Sequence, residues 1–273
     1  MSHEPRPVKP SPAQARYVAR RTRKNALVKF AQFGLLAAFL AIWECAARME
    51  WIDAFLLSSP SRVLSTLSAL IATGGLWVHL GTTLAETLAG FALGAALGIA
   101  AATALWWFPT LSRVLDPYLV VVNSLPKIAL GPILIVWVGA GMPAIIAMAL
   151  LVSVVVTLVT VLAGFLEVDQ EKSTLLVTFG ATRAQVLRMV ILPGALPAII
   201  SALKLNIGMS WVGVIVGEFL VSRAGLGYLI VYGGQVFKLD LVMASTAVLC
   251  AFAALMYFGI AALEKAVQRK RHE

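Results

Sequence analysis

The sequence predicts an all-α membrane protein with six transmembrane helices, and three observations predict it. Of the 273 residues, 60% are apolar and 13% charged, with a mean hydropathy of +0.90, whereas soluble domains carry about 25% charge. Six runs approach the ~20 apolar residues needed to cross a hydrocarbon core of about 30 Å: residues 27–47, 84–106, 117–138, 143–165, 195–217 and 241–263. If these runs alternate across a bilayer, sixteen of the 22 Lys and Arg fall on one side, counting Lys29 at the inner edge of the first run, and four on the other, with Lys127 and Lys204 within the spans. The positive-inside rule makes the basic side, with both termini, the cytoplasm.

The net charge of +9 is therefore topological. It points to anionic lipid as a neighbour rather than to nucleic acid. Cys45 and Cys250 fall in expected spans, which argues against a structural disulfide. His3, His79 and His272 are far apart and suggest no metal site. Acid, base and metal ligands do not cluster as a membrane enzyme would require.

In chain order, residues 1–26 are rich in proline and basic side chains and read as a disordered cytoplasmic tail. The span at 27–47 is the weakest, because it holds Glu44 and Cys45. It is not expected to be a cleavable signal, since 26 mostly polar residues precede it and no clear small-residue cleavage site follows. Residues 48–83 read as an external loop with one short amphipathic helix. Ser59 is its N-cap, Pro60 its first residue, and Gly74-Gly75 its end. The core domain then occupies 84–263. In its first span Gly90, Gly94 and Gly98 share a face, and Gly213 and Gly217 repeat the device in 195–217. Small residues at this spacing let helices approach closely in lipid.

Two spans carry polar groups that lipid penalises. In 117–138, Asn123, Ser124 and Lys127 lie near the middle and Pro126 removes a backbone donor. A lysine at membrane depth costs roughly 2.5–3.5 kcal/mol on insertion scales. Lys127 is thus expected either to face a polar path or to snorkel or pair with a carboxylate. The span at 195–217 holds Asn206 and Ser210, with Glu218 near its outer end. Together these six residues form a candidate translocation path. Lys204 is expected to snorkel. The span at 143–165 has no charge, and 264–273 is a basic cytoplasmic tail.

The loop at 166–194 reads as a helix–turn–helix. Asp169 caps the first helix, with Glu171 in its first turn. Leu175, Leu176 and Phe179 form its apolar face, and Gly180 supplies the left-handed turn that ends it. Thr182 and Gln185 form a capping box for the second helix. Val186, Leu187, Val190 and Ile191 give that helix an apolar stripe, and Pro193 and Pro197 break it. From periodicity alone the unit could equally be an interfacial helix on lipid.

Gly180 with Leu192-Pro193 resembles the cytoplasmic "EAA" loop of bacterial ATP-binding-cassette importer permeases. SPSRVL, NSLPKIALGPILIVWVGAG and GEFLVSRAGLGYLI extend the resemblance from about residue 59 to 263. The combination resembles the nitrate/sulfonate/taurine subfamily of type I importers. The resemblance implies a MetI-like permease fold, a homodimer, two copies of an ATPase subunit that binds ATP and Mg, and a separate substrate-binding protein outside. It implies that Glu171, Thr174, Leu175, Leu176, Phe179, Gly180, Ala181, Thr182, Arg183, Gln185 and Pro193 couple to the ATPase. The family's Glu-Ala-Ala falls on Thr174, Leu175 and Leu176, so its glutamate is absent, and Glu171 stands one turn earlier. The chain has no G-x-x-x-x-G-K-[ST] loop, so no cofactor of its own is expected. An ion-driven secondary transporter is the alternative, although no convincing inverted repeat accompanies the one broken span. The favoured cargo is an anion such as a sulfonate or nitrate, with a neutral or pyrimidine-type solute as the other possibility.

Overall fold

The computed structural model describes residues 12–272, all of whose regular elements are helical. The chain divides into two units, residues 1–62 and 63–273.

In the first unit α1 runs Pro12–Arg48 and α2 runs Ala54–Leu57. Helix thus begins well before residue 27. Residues 12–26, expected to be disordered, are helical because Ala, Gln, Arg and Lys are good helix formers and a proline is tolerated at the first position. The rest of that tail, residues 1–11, lies outside the described residues. Glu44 accepts hydrogen bonds from Arg48 Nε at 2.7 Å and from the Ser61 backbone N–H at 3.0 Å, which offsets its cost in an apolar run. The helix α3, Pro60–Ala72, starts as expected: Ser59 Oγ accepts from the Arg62 N–H at 3.4 Å.

The second unit is built on α4 (Gly75–Trp107), α7 (Met142–Leu166) and α11 (Leu196–Val221). α4 begins nine residues before its expected span because Gly74, at φ +74°, turns the chain directly from α3. The two glycine rows meet on α7. A Cβ at Gly90 would lie 2.6 Å from that of Ala149, and one at Gly213 would lie 2.5 Å from the Ala149 Cα. Helices α4 and α11 thus both close on one fully buried alanine. Apolar clusters pack the two ends of this bundle. One joins Ala102, Val161, Phe165 and Ala202 to Val186 and Ile191 of the 166–194 loop. The other joins Leu76 and Leu80 of α4 to α12 (Leu226–Gln235) and α13 (Leu239–His272). α13 stays helical through the expected tail at 264–272.

The run at 117–138 is not one continuous span. α5 (Pro109–Ser124) ends before Pro126, a 3₁₀ turn covers Lys127–Leu130, and α6 (Gly131–Val138) leaves at 86° to α5. Pro126 has no N–H and disfavours helical backbone at Leu125, which sits extended at φ −64°, ψ 141°. Among the described residues five helices are long and apolar enough to cross a membrane, or six if this bent pair is one span.

Candidate functional site

The 166–194 loop folds into a compact corner whose local rules are all satisfied. In α8, Gln170–Thr178, Asp169 Oδ1 accepts from the Glu171 N–H at 3.0 Å. The helix ends in a Schellman motif at Gly180, φ +82°. There Ala181 N–H bonds Leu176 O at 3.0 Å and Gly180 N–H bonds Val177 O at 2.9 Å. Thr182 and Gln185 form the expected capping box at the start of α9, Arg183–Val186. The second helix then continues past its expected stop. A π-helical turn, Leu187–Ile191, leads into α10, Leu192–Gly194, and so into α11. Pro193 lacks the N–H that would bond the carbonyl four residues back, and the wider turn absorbs the defect without breaking the helix.

The corner has two unlike faces. Val186 and Ile191 are buried in the bundle-end core, with Leu176, Ala181 and Leu187 packed beside them. Leu175, Val177 and Phe179 point away, and Phe179 at the apex is 82% exposed. The expected face of Leu175, Leu176 and Phe179 is therefore split, since at 100° per residue Leu176 turns inward while its neighbours turn out. Glu171 and Thr174 are exposed, and Thr174 Oγ1 donates to Gln170 O at 2.9 Å. A cavity of about 420 Å³ lies between the start of α8 and the π turn, lined by Asp169, Lys172, Met189 and Pro193. Arg183 lies against α4. Its Nη2 donates to Trp106 O at 3.4 Å, and the guanidinium sits 5.6 and 5.8 Å from the ring centres of Trp106 and Trp107.

The six polar span residues fall into two places. Asn123 and Ser124 are exposed at the end of α5. Lys127 Nζ donates to Asn123 O at 2.7 Å, a last-turn carbonyl that has lost its helical partner. Lys127 thus caps the break, and among the described residues no carboxylate pairs with it. Asn206, Ser210 and Glu218 are buried at 0%, 0% and 1% exposure. Ser210 Oγ donates to Asn206 Oδ1 at 2.9 Å, beside Gly94 and Ser153 at the three-helix seam.

Glu218 holds down α12. The Gly227 and Tyr228 N–H groups donate to its Oε2 at 2.5 and 3.3 Å, and Thr83 Oγ1 donates to its Oε1 at 2.6 Å. Leu226 N–H bonds Thr83 Oγ1 at 2.7 Å and Gly225 N–H bonds His79 Nδ1 at 3.0 Å. The four N–H groups that open α12 are thereby satisfied by α4 and α11 side chains, and the carboxylate also complements the helix dipole. A side chain at Gly225 or Gly227 would strike the Glu218 carboxyl group, so both glycines are needed. Glu86, 2% exposed, is a second buried carboxyl group beside it. Sequence reading missed Thr83, Glu86 and His79. Their only signal was polar residues at the start of an apolar run. Lys204, expected to snorkel, forms an ion pair with Glu264.

Residues 94–272 match the family of binding-protein-dependent transport system inner membrane components. The chain is 31% identical over 237 residues to the taurine transport system permease protein of Escherichia coli (strain K12), covering 85% of this chain and 86% of that one. It is 27% identical over 220 residues to an aliphatic sulfonates transport permease of the same organism, covering 81% and 84%. The fold matches a chain of the inward-facing MetNI methionine ABC transporter with a TM-score of 0.58 and 22% identity, over 71% of this chain and 95% of that one. The chain belongs to the binding-protein-dependent transport system inner membrane component family and is a permease subunit of an ATP-binding-cassette importer of the sulfonate/taurine-like subfamily, with ATP hydrolysis on a separate chain.

Proposed function

We propose that two copies of this chain form the solute path of the importer, each docking its 166–194 corner on one of two ATPase subunits. The observation that carries the reading is the corner itself. It is fixed from within by the Schellman motif and the buried Val186 and Ile191, and it presents Leu175, Val177 and Phe179 bare. Exposed aromatic and aliphatic anchors on a rigid support are what a partner's groove requires. Lipid is the competing neighbour for such a face, but Glu171 and Lys172 flank it and favour a protein groove in water. ATP and Mg²⁺ bind the partner subunit, and a substrate-binding protein delivers solute from the other side. In this reading both termini and the corner face the cytoplasm of a bacterial inner membrane, and its support is the basic residues of 12–29, of 265–271 and of the corner. Glu171 takes the place of the family's missing glutamate.

The cargo proposed is a small sulfonate or similar anion. Its support is the substrate class that the relatives are named for and the position of Lys127 at the exposed break between α5 and α6. Asn123 and Ser124 line the path beside it. Asn206, Ser210 and Glu218 brace the bundle in this conformation. The test is ATP-dependent uptake into proteoliposomes holding the chain, its ATPase subunit and its binding protein. Labelled taurine should accumulate and an alkanesulfonate should compete, and Lys127→Ala should raise the KM for taurine. Uptake of neutral solutes alone, indifferent to Lys127, would reject the anion reading.

A further inference from the structure

The sequence resemblance put Arg183 among the residues that touch the ATPase, yet its guanidinium lies over α4. From this contact we infer that Arg183 is a strut that passes the movement of the coupling corner to α4, in addition to the covalent links into α7 and α11. The inference rests on the docking role proposed above.

The geometry supports it from both ends. Arg183 is the first residue of α9, so its backbone is fixed by the Thr182–Gln185 capping box one residue away. At the far end, Trp106 O belongs to the last turn of α4, which carries the negative end of the helix dipole. A guanidinium matches that site twice over. It donates to the carbonyl, and its charge lies 5.6 and 5.8 Å from two indole rings. Trp106 also packs against the core cluster containing Val186 and Ile191, so the strut ends on a rigid support. Trp106 and Arg183 are 77 positions apart in sequence, and beside this contact the corner packs its apolar Val186 and Ile191 with Ala102 of α4. Without the strut, α7 and α11 would still follow the corner, but α4 could lag behind.

The test uses the complete importer in proteoliposomes, with the chain's own ATPase subunit and binding protein and labelled taurine as the probe. Arg183→Ala should retain the ATPase subunit on co-purification, while taurine moved per ATP hydrolysed falls on the order of fivefold, within the usual range of coupling energies. Arg183→Lys, which keeps the charge but loses the planar stack, should fall between the two. Trp107→Ala should reproduce the loss, and the double variant Arg183→Ala/Trp107→Ala should be no worse than either single change. Loss of the ATPase subunit from Arg183→Ala would overturn the inference, because Arg183 would then be a partner contact. An unchanged ratio of taurine to ATP would overturn it as well, as would additive losses in the double variant. Gly180→Val, run in parallel, reports separately on docking. If it retains the ATPase subunit at full affinity, the docking reading fails, whatever Arg183 does.

Discussion

Replacing Gly180 should weaken the grip on the ATPase in a graded order set by backbone preference alone. Gly180 sits at φ +82°, and a Cβ there would meet nothing within 4 Å. The Cβ therefore adds no clash, and the main penalty is that of left-handed backbone. That penalty is about 1–2 kcal/mol for an ordinary L-residue, larger for a β-branched one and smaller for Asn, which tolerates the region. The two Schellman bonds, at 2.9 and 3.0 Å, hold only if that backbone is kept. A penalty of 1–2 kcal/mol lowers the population of the docking-competent corner by roughly 5- to 30-fold where the corner is marginal, and the apparent affinity falls with it. Titrating purified ATPase subunit onto the chain in nanodiscs should give the order Gly, Asn, Ala, Val, tightest to weakest. Equal affinities across the series would refute the reasoning, as would Val binding more tightly than Asn.

Two further predictions concern the bundle. Gly213→Leu should lower the thermal stability of the detergent-solubilised chain, because its Cβ would lie 2.5 Å from the Ala149 backbone and overpacking costs about 1–3 kcal/mol. Gly208→Leu in the same helix, where a Cβ meets nothing within 4 Å, should be neutral, and equal losses in the two would contradict the close-packed seam. Glu218→Ala leaves the Gly227 and Tyr228 N–H groups without an acceptor, at about 1–3 kcal/mol for each buried group. Hydrogen exchange over residues 225–235 should accelerate in Glu218→Ala, and much less in Glu218→Gln, which keeps an acceptor oxygen. Unchanged protection in both would remove Glu218 from its capping role.

What the sequence made legible was local. The apolar runs, the glycine rows and each cap of the 166–194 corner depend on residues within four positions of one another, so spacing alone locates them. Pro126 signalled the weak point of the third run. The 86° bend is larger than one missing hydrogen bond suggests, because the proline also forces Leu125 out of the helical region. The corner's second helix outlasted Pro193 because a π turn has a register that no periodicity rule anticipates. Contacts distant in the chain were not legible. Thr83 and Glu218 are 135 positions apart and Lys204 and Glu264 are 60 apart. Glu218 looks the same in sequence whether it lines a path or caps a helix, and only the position of α12 distinguishes the two. Helix α1 outran its apolar stretch because helix propensity, which ignores charge and hydropathy, continues through Ala, Gln and Arg.

The central claim is that the bare apex of the 166–194 corner seats in the ATPase subunit. Phe179→Cys places a thiol at that apex, in a chain from which Cys45 and Cys250 have been replaced by serine. A photoactivated benzophenone on this thiol, in the assembled importer in a lipid bilayer, should yield one dominant adduct with the ATPase subunit. Moving the cysteine to Phe258 of α13, 65% exposed, should yield none. An apex label that reacts with lipid alone, while the ATPase subunit remains bound to the complex, would contradict the account.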